Sequence, residues 1–249
     1  MPGITATIIT FNEEAHISEA IVSLPCCDEV IVVDSGSTDR TRDIARALGA
    51  RVIERKWPGY TRQKNFAAEQ ATNDWILSID ADERLTIELA AEIAHWKKSG
   101  DLATSSAAAA WSMPRRAFYL GRWIRHSGWY PDRKIRLYNR RCCQWEGDFV
   151  HEGVKVQGRV DHFLGDLLHF PYSDWNDHVQ RIDRYTKLAA EAASSKRGLG
   201  NVLQLMFNPP LAFFRAFILR AGFLDGWRGL AIAYMAARYV FQRHFRILR

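Results

Sequence analysis

Three acidic residues crowd the end of one apolar segment. The run Trp75 to Ile79 is followed directly by Asp80, Ala81, Asp82 and Glu83. An apolar run of this length predicts a strand buried on both faces, as in a parallel sheet covered by helices. Carboxylates at such close spacing repel one another unless a cation or the positive charge of a ligand lies between them. The pattern therefore predicts a divalent metal ion that holds a phosphorylated ligand at the carboxyl edge of a sheet.

Two other predicted strands also end in polar residues. Thr10, Asn12 and Glu13 close the first, while Asp34 closes the second and is followed by Gly36. A carboxylate at a strand end can accept hydrogen bonds from a base or a ribose, and glycine lets the backbone turn closely past it. The alternatives are an Asx-type turn at Asp34 and a plain helix N-cap at Asn12. Because both ends face one edge of a parallel sheet, the two clusters together favour a nucleotide pocket.

A cationic segment precedes the acidic residues. Arg62, Lys64 and Asn65 lie on one predicted helix, so only some of them can face the pocket. A cation there could neutralise a diphosphate, and the alternative is a solvated helix surface. The sequence contains neither a G-x-x-x-x-G-K-[S/T] nor a G-x-G-x-x-G motif, which argues against the P-loop and Rossmann nucleotide folds.

Strand and helix patterns alternate four times within the first hundred residues. This alternation predicts a parallel α/β sheet. Later in the chain, two amphipathic helices are predicted over Trp175–Lys196 and Trp227–Arg249. The predicted strands in the first hundred residues are Thr5–Phe11, Val30–Val33, Arg51–Glu54 and Trp75–Ile79, and the predicted helices are Ile17–Leu24, Thr41–Leu48, Tyr60–Thr72 and Ile87–Lys98.

Composition limits the class of protein and its partners. The 249 residues can bury a full core, and the net charge of +6 suits anionic partners. The four cysteines form two adjacent pairs, Cys26–Cys27 and Cys142–Cys143, which predicts reduced thiols in a cytoplasmic protein. The N-terminus lacks a basic leader, so we expect no secretory signal. The sequence contains no stretch of about 18 uninterrupted apolar residues, so we expect no simple membrane-spanning helix.

Three segments resemble the markers of glycosyltransferase family 2. They are Thr7–Glu13, Val32–Asp39 and Ser78–Glu83, and the resemblance covers about the first hundred residues. It implies a GT-A fold of the α/β class, a nucleotide-diphosphate sugar donor and inversion of the anomeric centre. The chain differs from many members at Ser35, where they carry a second acid.

The resemblance also implies roles for individual residues. Asp34 would hold the uridine end of the donor, and Asp80 would contact its ribose. Asp82 would bind Mg²⁺ or Mn²⁺, which would bridge the diphosphate, and we predict His169 as a further metal ligand. The donor-binding set is predicted to be Thr10, Asn12, Glu13, Asp34, Gly36, Lys64, Asn65, Asp80 and Ala81.

The second half resembles the bacterial lipopolysaccharide core glucosyltransferase branch of that family. This resemblance implies transfer of glucose from UDP-glucose to a heptose of the inner core. The alternative is a family 2 enzyme acting on a polyprenyl-linked or exopolysaccharide acceptor. We predict Arg133, Arg136 and His151 as acceptor-binding residues. The segments that carry the resemblance are Trp129–Arg133, Arg136–Tyr138, Val150–Glu152, His169 and Gly222–Gly226.

Inverting transfer requires one base that deprotonates the acceptor hydroxyl. Glu152 is the candidate, because it follows the apolar pair Phe149 and Val150, which could deliver it to the pocket. Asp132 is the rival, although its aromatic and basic surroundings would weaken it as a base. His151 and His169 could instead be structural hydrogen-bonding residues.

The basic and aromatic stretch 115–141 has nine Arg or Lys residues against one acid. Such a stretch could form a nucleic-acid surface. A phosphorylated saccharide acceptor explains the same charge, and the enzyme hypothesis also explains the acidic cluster. We therefore expect no nucleic-acid partner. A nucleotidyltransferase would usually place a Gly-rich loop after the first strand, where this chain has none, and a non-catalytic binding protein would show neither donor hydrolysis nor transfer.

The C-terminal segment combines arginine with large apolar residues. On a helix over Trp227–Arg249, most arginines fall in one sector and most large apolar residues lie opposite, which is typical of a helix in a membrane interface. The alternative is that its apolar face packs on the catalytic domain. We predict a catalytic domain over 1–200, with a nucleotide-sugar half (1–100) and an acceptor half (101–200), and a helical membrane-contacting tail over 201–249. The expected location is the cytoplasm, with peripheral attachment to the inner membrane.

Overall fold

The structure is a computed structural model that describes residues 1–99, 108–147, 152–192 and 199–248. Contacts within the chain define two compact units. Unit 1 comprises Met1–Arg115 and Arg133–His169, and unit 2 comprises Arg116–Asp132 and Phe170–Arg249. Residues 116–132 group in unit 2 with everything from Phe170 onward. The roles assigned to 1–100, 101–200 and 201–249 stay predictions.

The first hundred residues of unit 1 alternate strand and helix as predicted, and one short strand, β5, was not foreseen. A buried apolar core lies on both sides of the central strands; all seven residues of β1 are buried. The elements are β1 (Ile4–Thr10), α1 (Ile17–Val22), β2 (Glu29–Asp34), α2 (Thr41–Ala47), β3 (Arg51–Glu54), α3 (Tyr60–Glu69), β4 (Trp75–Asp80), β5 (Glu83–Leu85) and α4 (Ile87–Ser99).

Strands that were not predicted follow after residue 108. They are β6 (Ala110–Tyr119), β7 (Arg122–Trp123), β8 (Asp132–Asn139), β9 (Cys143–Glu146), β10 (Gly153–Val156), β11 (Val160–His162) and β12 (Leu167–His169). The main sheet has the order β3-β2-β1-β4-β8-β6-β12-β5. Its first four strands are parallel, as predicted, whereas β8 joins β4 in the antiparallel sense, so the sheet is mixed.

Strand register brings the predicted polar clusters to one edge. Thr10 lies opposite Asp34, and Ile9 lies opposite Asp80. The carboxyl ends of β1, β2 and β4 therefore meet, which confirms the expectation drawn from the sequence. The antiparallel pairing of β5 with β12 places His169 opposite Glu83.

Unit 2 is mainly helical. Its elements include α5 (Trp175–Ala192), α6 (Leu199–Phe214), a π-helical turn (Arg215–Leu219), a 3₁₀ turn (Gly222–Asp225) and α7 (Trp227–Leu248). The predicted helices at 175 and 227 are confirmed, and α6 continues through Pro209 and Pro210. Neither α7 nor any other helix in the described ranges combines the length and apolar character that a bilayer-crossing segment needs.

Candidate active site

The protein's own cations neutralise two of the three crowded acids. The Arg136 guanidinium lies 2.7 Å from the Asp80 carboxylate and 2.6 Å from that of Glu83. The Lys64 ammonium lies 3.1 Å from Asp80, and the Arg115 guanidinium lies 3.1 Å from Glu83. The spacing of these acids predicts a metal ion or a ligand among them. For Asp80 and Glu83, arginine and lysine side chains take that place.

The charges of this cluster interact strongly because they are buried. Glu83 is fully buried, and Arg136 and Lys64 are almost so. Burial acts to raise the pKa of Asp80, but the charges of Arg136 and Lys64 outweigh it and hold this pKa far below its ordinary value. Burial likewise acts to lower the pKa of Arg136, and the two carboxylates raise it further than burial lowers it. Both groups are therefore ionised over the whole physiological pH range.

Asp82, the third acid, faces a different partner. Its carboxylate lies 3.4 Å from His169 Nε2, and the side chains of both residues are partly exposed. The pairing of β5 with β12 brings them together across more than eighty positions of sequence. The two residues that we predicted as metal ligands are thus neighbours.

This pair fits the chemistry of a divalent metal ion. No group of three or more His, Cys, Asp or Glu side chains that could hold a metal occurs in the part of the chain that the structure describes. Mg²⁺ in nucleotide enzymes is commonly held by one or two carboxylates, with substrate phosphates and water as the other ligands. A carboxylate and an imidazole would suit such a shared site, with the diphosphate as the missing partner.

Glu152 lies beside the same cluster. One of its carboxylate oxygens, Oε1, is 2.9 Å from the Lys64 ammonium. The other, Oε2, is buried and has no hydrogen-bond partner among the described residues. Lys64 therefore links Glu152 to Asp80. Glu152, Asp80 and Glu83 supply three negative charges, and Lys64, Arg136 and Arg115 supply three positive charges.

Trp145 packs against this cluster. The Lys64 ammonium lies 4.2 Å from the centroid of its indole ring, a cation–π distance. The Trp145 Nε1–H donates to the Tyr138 hydroxyl at 3.1 Å. The Asn65 side chain fixes the Trp145 backbone by donating to its carbonyl and accepting from its N–H, both at 2.9 Å. The Asn65 amide group thus holds this strand in place, and its predicted contact with the donor stays a prediction.

The turns after β1 and β2 are joined by hydrogen bonds. The Asn12 N–H donates to Ser37 Oγ at 2.8 Å, and the Thr38 N–H donates to Asn12 Oδ1 at 2.8 Å. Asp34 is fully buried and accepts from the N–H groups of Gly36 and Ser37. The Asx-type turn that the sequence left open is therefore what the structure shows at Asp34. A contact between this residue and a base stays a prediction.

Other members of the predicted donor set flank these turns. Gly36 has φ of +96°, a backbone conformation that favours glycine, as its predicted role requires. Thr10 is buried at the end of β1, and its Oγ1 has no hydrogen-bond partner among the described residues. Glu13 donates its N–H to Thr41 Oγ1 at 2.8 Å. Ala81 packs in the apolar core, so a donor contact through its side chain is excluded.

The predicted acceptor-binding residues lie in different surroundings. Arg136 is buried and paired with Asp80 and Glu83, so it compensates their charge, and its contact with an acceptor stays a prediction. Arg133 is exposed and donates to the Phe163 carbonyl at 3.2 Å. His151 lies outside the described residues. Asp132, the rival base, begins β8 and belongs to unit 2.

Three residues of the cluster were not predicted. Glu83 was noted as one of three acids but received no role, although it accepts from the Asp80 N–H at 3.1 Å as well as from two arginines. Arg115 belonged to the basic stretch, whose nine-to-one excess of cations could have indicated partners for buried acids. Trp145 had no signal in the sequence, because its position depends on the long-range pairing with Asn65.

Comparison with known proteins identifies relatives over most of the chain. A model of the family described as glycosyl transferase family 2 matches residues 5–153. The lipopolysaccharide core biosynthesis glycosyltransferase LpsC of Rhizobium meliloti (strain 1021) is 31% identical, over 97% of this chain and 93% of that protein. An uncharacterized glycosyltransferase of Rickettsia typhi is 32% identical, over 96% of this chain and 85% of that protein.

A solved structure matches part of the chain. Glucosyl-3-phosphoglycerate synthase from Mycobacterium tuberculosis, in complex with Mn²⁺, UDP and glucosyl-3-phosphoglycerate, is 28% identical. The match covers 48% of this chain and 45% of that protein, with a TM-score of 0.36.

The family assignment follows from the sequence matches and agrees with the fold. The mixed sheet, in which β3, β2, β1 and β4 are parallel, is that of a GT-A enzyme. The family model covers more than half of the 249 residues, and the similarity to LpsC extends over nearly all of them. The chain belongs to glycosyl transferase family 2.

Proposed function

We propose that this enzyme transfers glucose from UDP-glucose to a heptose of the lipopolysaccharide inner core, with inversion at the anomeric carbon. The observation that carries the proposal is the charge-balanced cluster around Asp80. It lies at the edge where β1 and β2 also end, next to the pair Asp82 and His169. The similarity to LpsC over 97% of the chain supports an acceptor of the lipopolysaccharide core type.

Glu152 is the proposed general base. The acceptor hydroxyl would donate its hydrogen bond to the buried, unpartnered Oε2 and would pass its proton there as the oxygen attacks the anomeric carbon. Lys64 would hold the carboxylate in position through Oε1. Since Lys64 also binds Asp80, the base and the donor end of the site are connected by one side chain.

Asp82 and His169 are the proposed protein ligands of Mg²⁺ or Mn²⁺. When bound, such an ion would stabilise the negative charge that develops on the departing diphosphate, so no general acid is needed. Asp80 would accept from the ribose, and Asp34, with Gly36 beside it, would lie at the uridine end. Thr10, Asn12, Glu13 and Arg133 would complete the donor and acceptor contacts.

A second candidate differs only in the acceptor. Family 2 membership is equally compatible with a saccharide on a polyprenyl carrier or with an exopolysaccharide. The basic residues of stretch 115–141 favour a phosphorylated core acceptor over a neutral exopolysaccharide, because four arginines there are exposed: Arg122, Arg125, Arg133 and Arg141.

The decisive experiment is a panel of nucleotide sugars tested against truncated core acceptors, with and without Mg²⁺ or Mn²⁺. We expect consumption of UDP-glucose alone, only with metal, and only when the acceptor presents its inner-core heptose. For the Glu152→Gln variant of the proposed base, Glu92→Gln is a suitable control. Glu92 lies on α4, where it accepts hydrogen bonds from the backbone N–H groups of Leu164 and Gly165. Transfer to a polyprenyl-linked acceptor but not to core heptose would select the second candidate.

The proposed location is the cytoplasmic surface of the inner membrane, where a lipid-linked acceptor would be presented. The enzyme would be attached peripherally, and it would release at high ionic strength to the extent that the attachment is electrostatic.

A further inference from the structure

Five large apolar side chains of α7 face solvent, while others, and two of its arginines, contact protein. Ala233 is fully buried on the packed side. There, Arg228 Nε donates to the Leu120 carbonyl at 2.7 Å, and the Arg246 guanidinium donates to the Asp183 carboxylate. The exposed side chains of this face therefore do not pack on the described part of the protein, which is the alternative that the sequence left open. The exposed apolar residues of α7, which recur at spacings of three, four and seven, are Trp227, Leu230, Tyr234, Phe241 and Phe245.

Helix α6 shows the same arrangement. It packs against α7, and Asn208 on that side lies 3.4 Å from His244 of α7. The opposite side of α6 carries a second exposed apolar stripe, composed of Leu203, Met206, Phe207, Leu211 and Phe214. We call α6, α7 and the residues between them the helical hairpin.

The turn of the helical hairpin also exposes apolar side chains. The turn, residues 215–226, exposes Ile218, Leu219, Phe223 and Leu224, with Leu219 at 67% of its possible accessible area. Exposed apolar side chains thus extend without a break from one helix through the turn to the other. A continuous apolar surface of this kind marks an interaction site rather than scattered surface residues.

The charge of this surface selects its partner. Between Leu203 and Arg249 there are seven arginines and one acid. That acid, Asp225, is buried and accepts from the His126 N–H at 2.9 Å. Arg215, Arg220 and Arg243 are exposed. A surface that is apolar and cationic, with aromatic residues at its margins, complements anionic phospholipid headgroups and the acyl chains beneath them.

We infer that the turn of the helical hairpin inserts into the headgroup region of an anionic phospholipid bilayer, with the exposed stripes of α6 and α7 on either side of it. An anionic bilayer is thus the partner in the membrane attachment proposed above. Only the biological purpose of this binding rests on the proposed function. The contact lies at the turn, residues 215–226, rather than at the arginine sector of α7.

Vesicle binding tests this inference directly. The probe is phosphatidylethanolamine vesicles containing phosphatidylglycerol, and the variant is Leu219→Ser/Phe223→Ser/Leu224→Ser. A half-exposed apolar side chain gains about half of the free energy of full burial when it inserts. The three substitutions should therefore lower the vesicle partition coefficient about a hundredfold. The matched control, Val22→Ser/Ile87→Ser/Leu164→Ser, removes three apolar residues of unit 1 that are on average more exposed, and it should bind as wild type.

A second variant separates charge from insertion. Arg215→Gln/Arg220→Gln, which removes two exposed cations of the turn, should weaken binding to the anionic vesicles and reduce its sensitivity to salt, while binding to pure phosphatidylcholine stays unchanged. Thermal unfolding should be the same for all these proteins, because every substituted side chain is exposed or half-buried at the surface.

Three results would overturn the inference. The first is wild-type vesicle binding by the triple variant, and the second is an equal loss in the control. The third is a dimer that dissociates on the triple substitution while vesicle binding persists, which would make a second copy the partner. Because vesicle binding needs no sugar, its failure is distinct from failure of the proposed transfer reaction. A delipidated core oligosaccharide should still be glucosylated by the triple variant at the wild-type rate.

Discussion

Replacement of Arg136 by methionine should destabilise the enzyme strongly. Methionine keeps much of the volume of the side chain but removes the charge that lies 2.7 Å from Asp80 and 2.6 Å from Glu83. The cluster would then hold three carboxylates and two cations. Breaking a buried ion pair by removing one partner typically costs about 3–5 kcal/mol of unfolding free energy.

The expected cost lies at the lower end of this range. Asp80 would keep Lys64 and Glu83 would keep Arg115, each at 3.1 Å. We therefore expect a loss of about 3 kcal/mol at pH 7. The pH dependence follows from Asp80, whose pKa in the folded protein is held well below its ordinary value. Its stabilising contribution is present above the unfolded pKa of about 4 and is lost as the pH falls further, so the difference between wild type and variant should shrink below about pH 4.

Urea unfolding followed by tryptophan fluorescence measures this difference. A matched control is Arg159→Met, which breaks a surface pair with Asp161 at a similar distance of 2.7 Å. Exposed pairs contribute about 0–1 kcal/mol, so the control should be nearly as stable as wild type.

A double variant tests whether charge balance is the cause. In Arg136→Met/Asp80→Asn, Lys64 would pair with Glu152 and Arg115 with Glu83, so each remaining charge would have one partner. We expect this double variant to be more stable than the single one. The reasoning would be refuted by an Arg136→Met protein as stable as the Arg159→Met control, or by a double variant less stable than Arg136→Met.

Four further outcomes are expected. Glu152→Gln should lower the turnover of transfer by about 100-fold or more with UDP binding unchanged in a titration; normal turnover would remove it as the base. Asp82→Asn should abolish the Mg²⁺ or Mn²⁺ dependence of UDP affinity, and His169→Gln should weaken it; affinities that remain sensitive to a chelator would contradict the assigned ligands. Burial lowers the pKa of His178 to about 4, so stability should fall as the pH drops from about 6.5 to 4, and His178→Phe should flatten this part of the urea-midpoint profile. Asp225→Asn should cost about 1–3 kcal/mol of unfolding free energy by urea, because the new amide N–H₂ would face backbone donors; an unchanged midpoint would exclude that contact.

The parallel half of the fold could be predicted because each of its strands is a local apolar run. Trp75–Ile79 and Val30–Val33 are short, continuous and bounded by polar residues, so periodicity alone identifies them. The strands after residue 108 carry alternating or mixed burial, as in β8, and their pairing spans long distances in sequence. β12 has three residues, which is too short to give a periodic signal.

The candidate site was predictable where chemistry lies at a strand end, and unpredictable where it depends on a distant partner. Asp82 and His169 were assigned to one metal by resemblance, and the structure brings them within 3.4 Å. Arg136 was given to the acceptor, because no sequence pattern shows that a cation in a basic stretch is buried. The same limit applies to Lys64, which was assigned to a diphosphate and lies between two carboxylates.

Within unit 2, the turn of the helical hairpin and the segment 125–132 are held together as one piece. Buried Asp225 accepts from the N–H groups of Arg125 and His126, and the Ser127 N–H donates to the Arg220 carbonyl at 2.9 Å. The same segment contains Trp129 to Asp132, a motif of the resemblance to the lipopolysaccharide core branch. Insertion of the turn into a bilayer would therefore fix this segment at a constant depth relative to the headgroups. An acceptor sugar on a lipid lies at a constant depth as well, so a rigid link of this kind would present the motif to the sugar without any change of conformation.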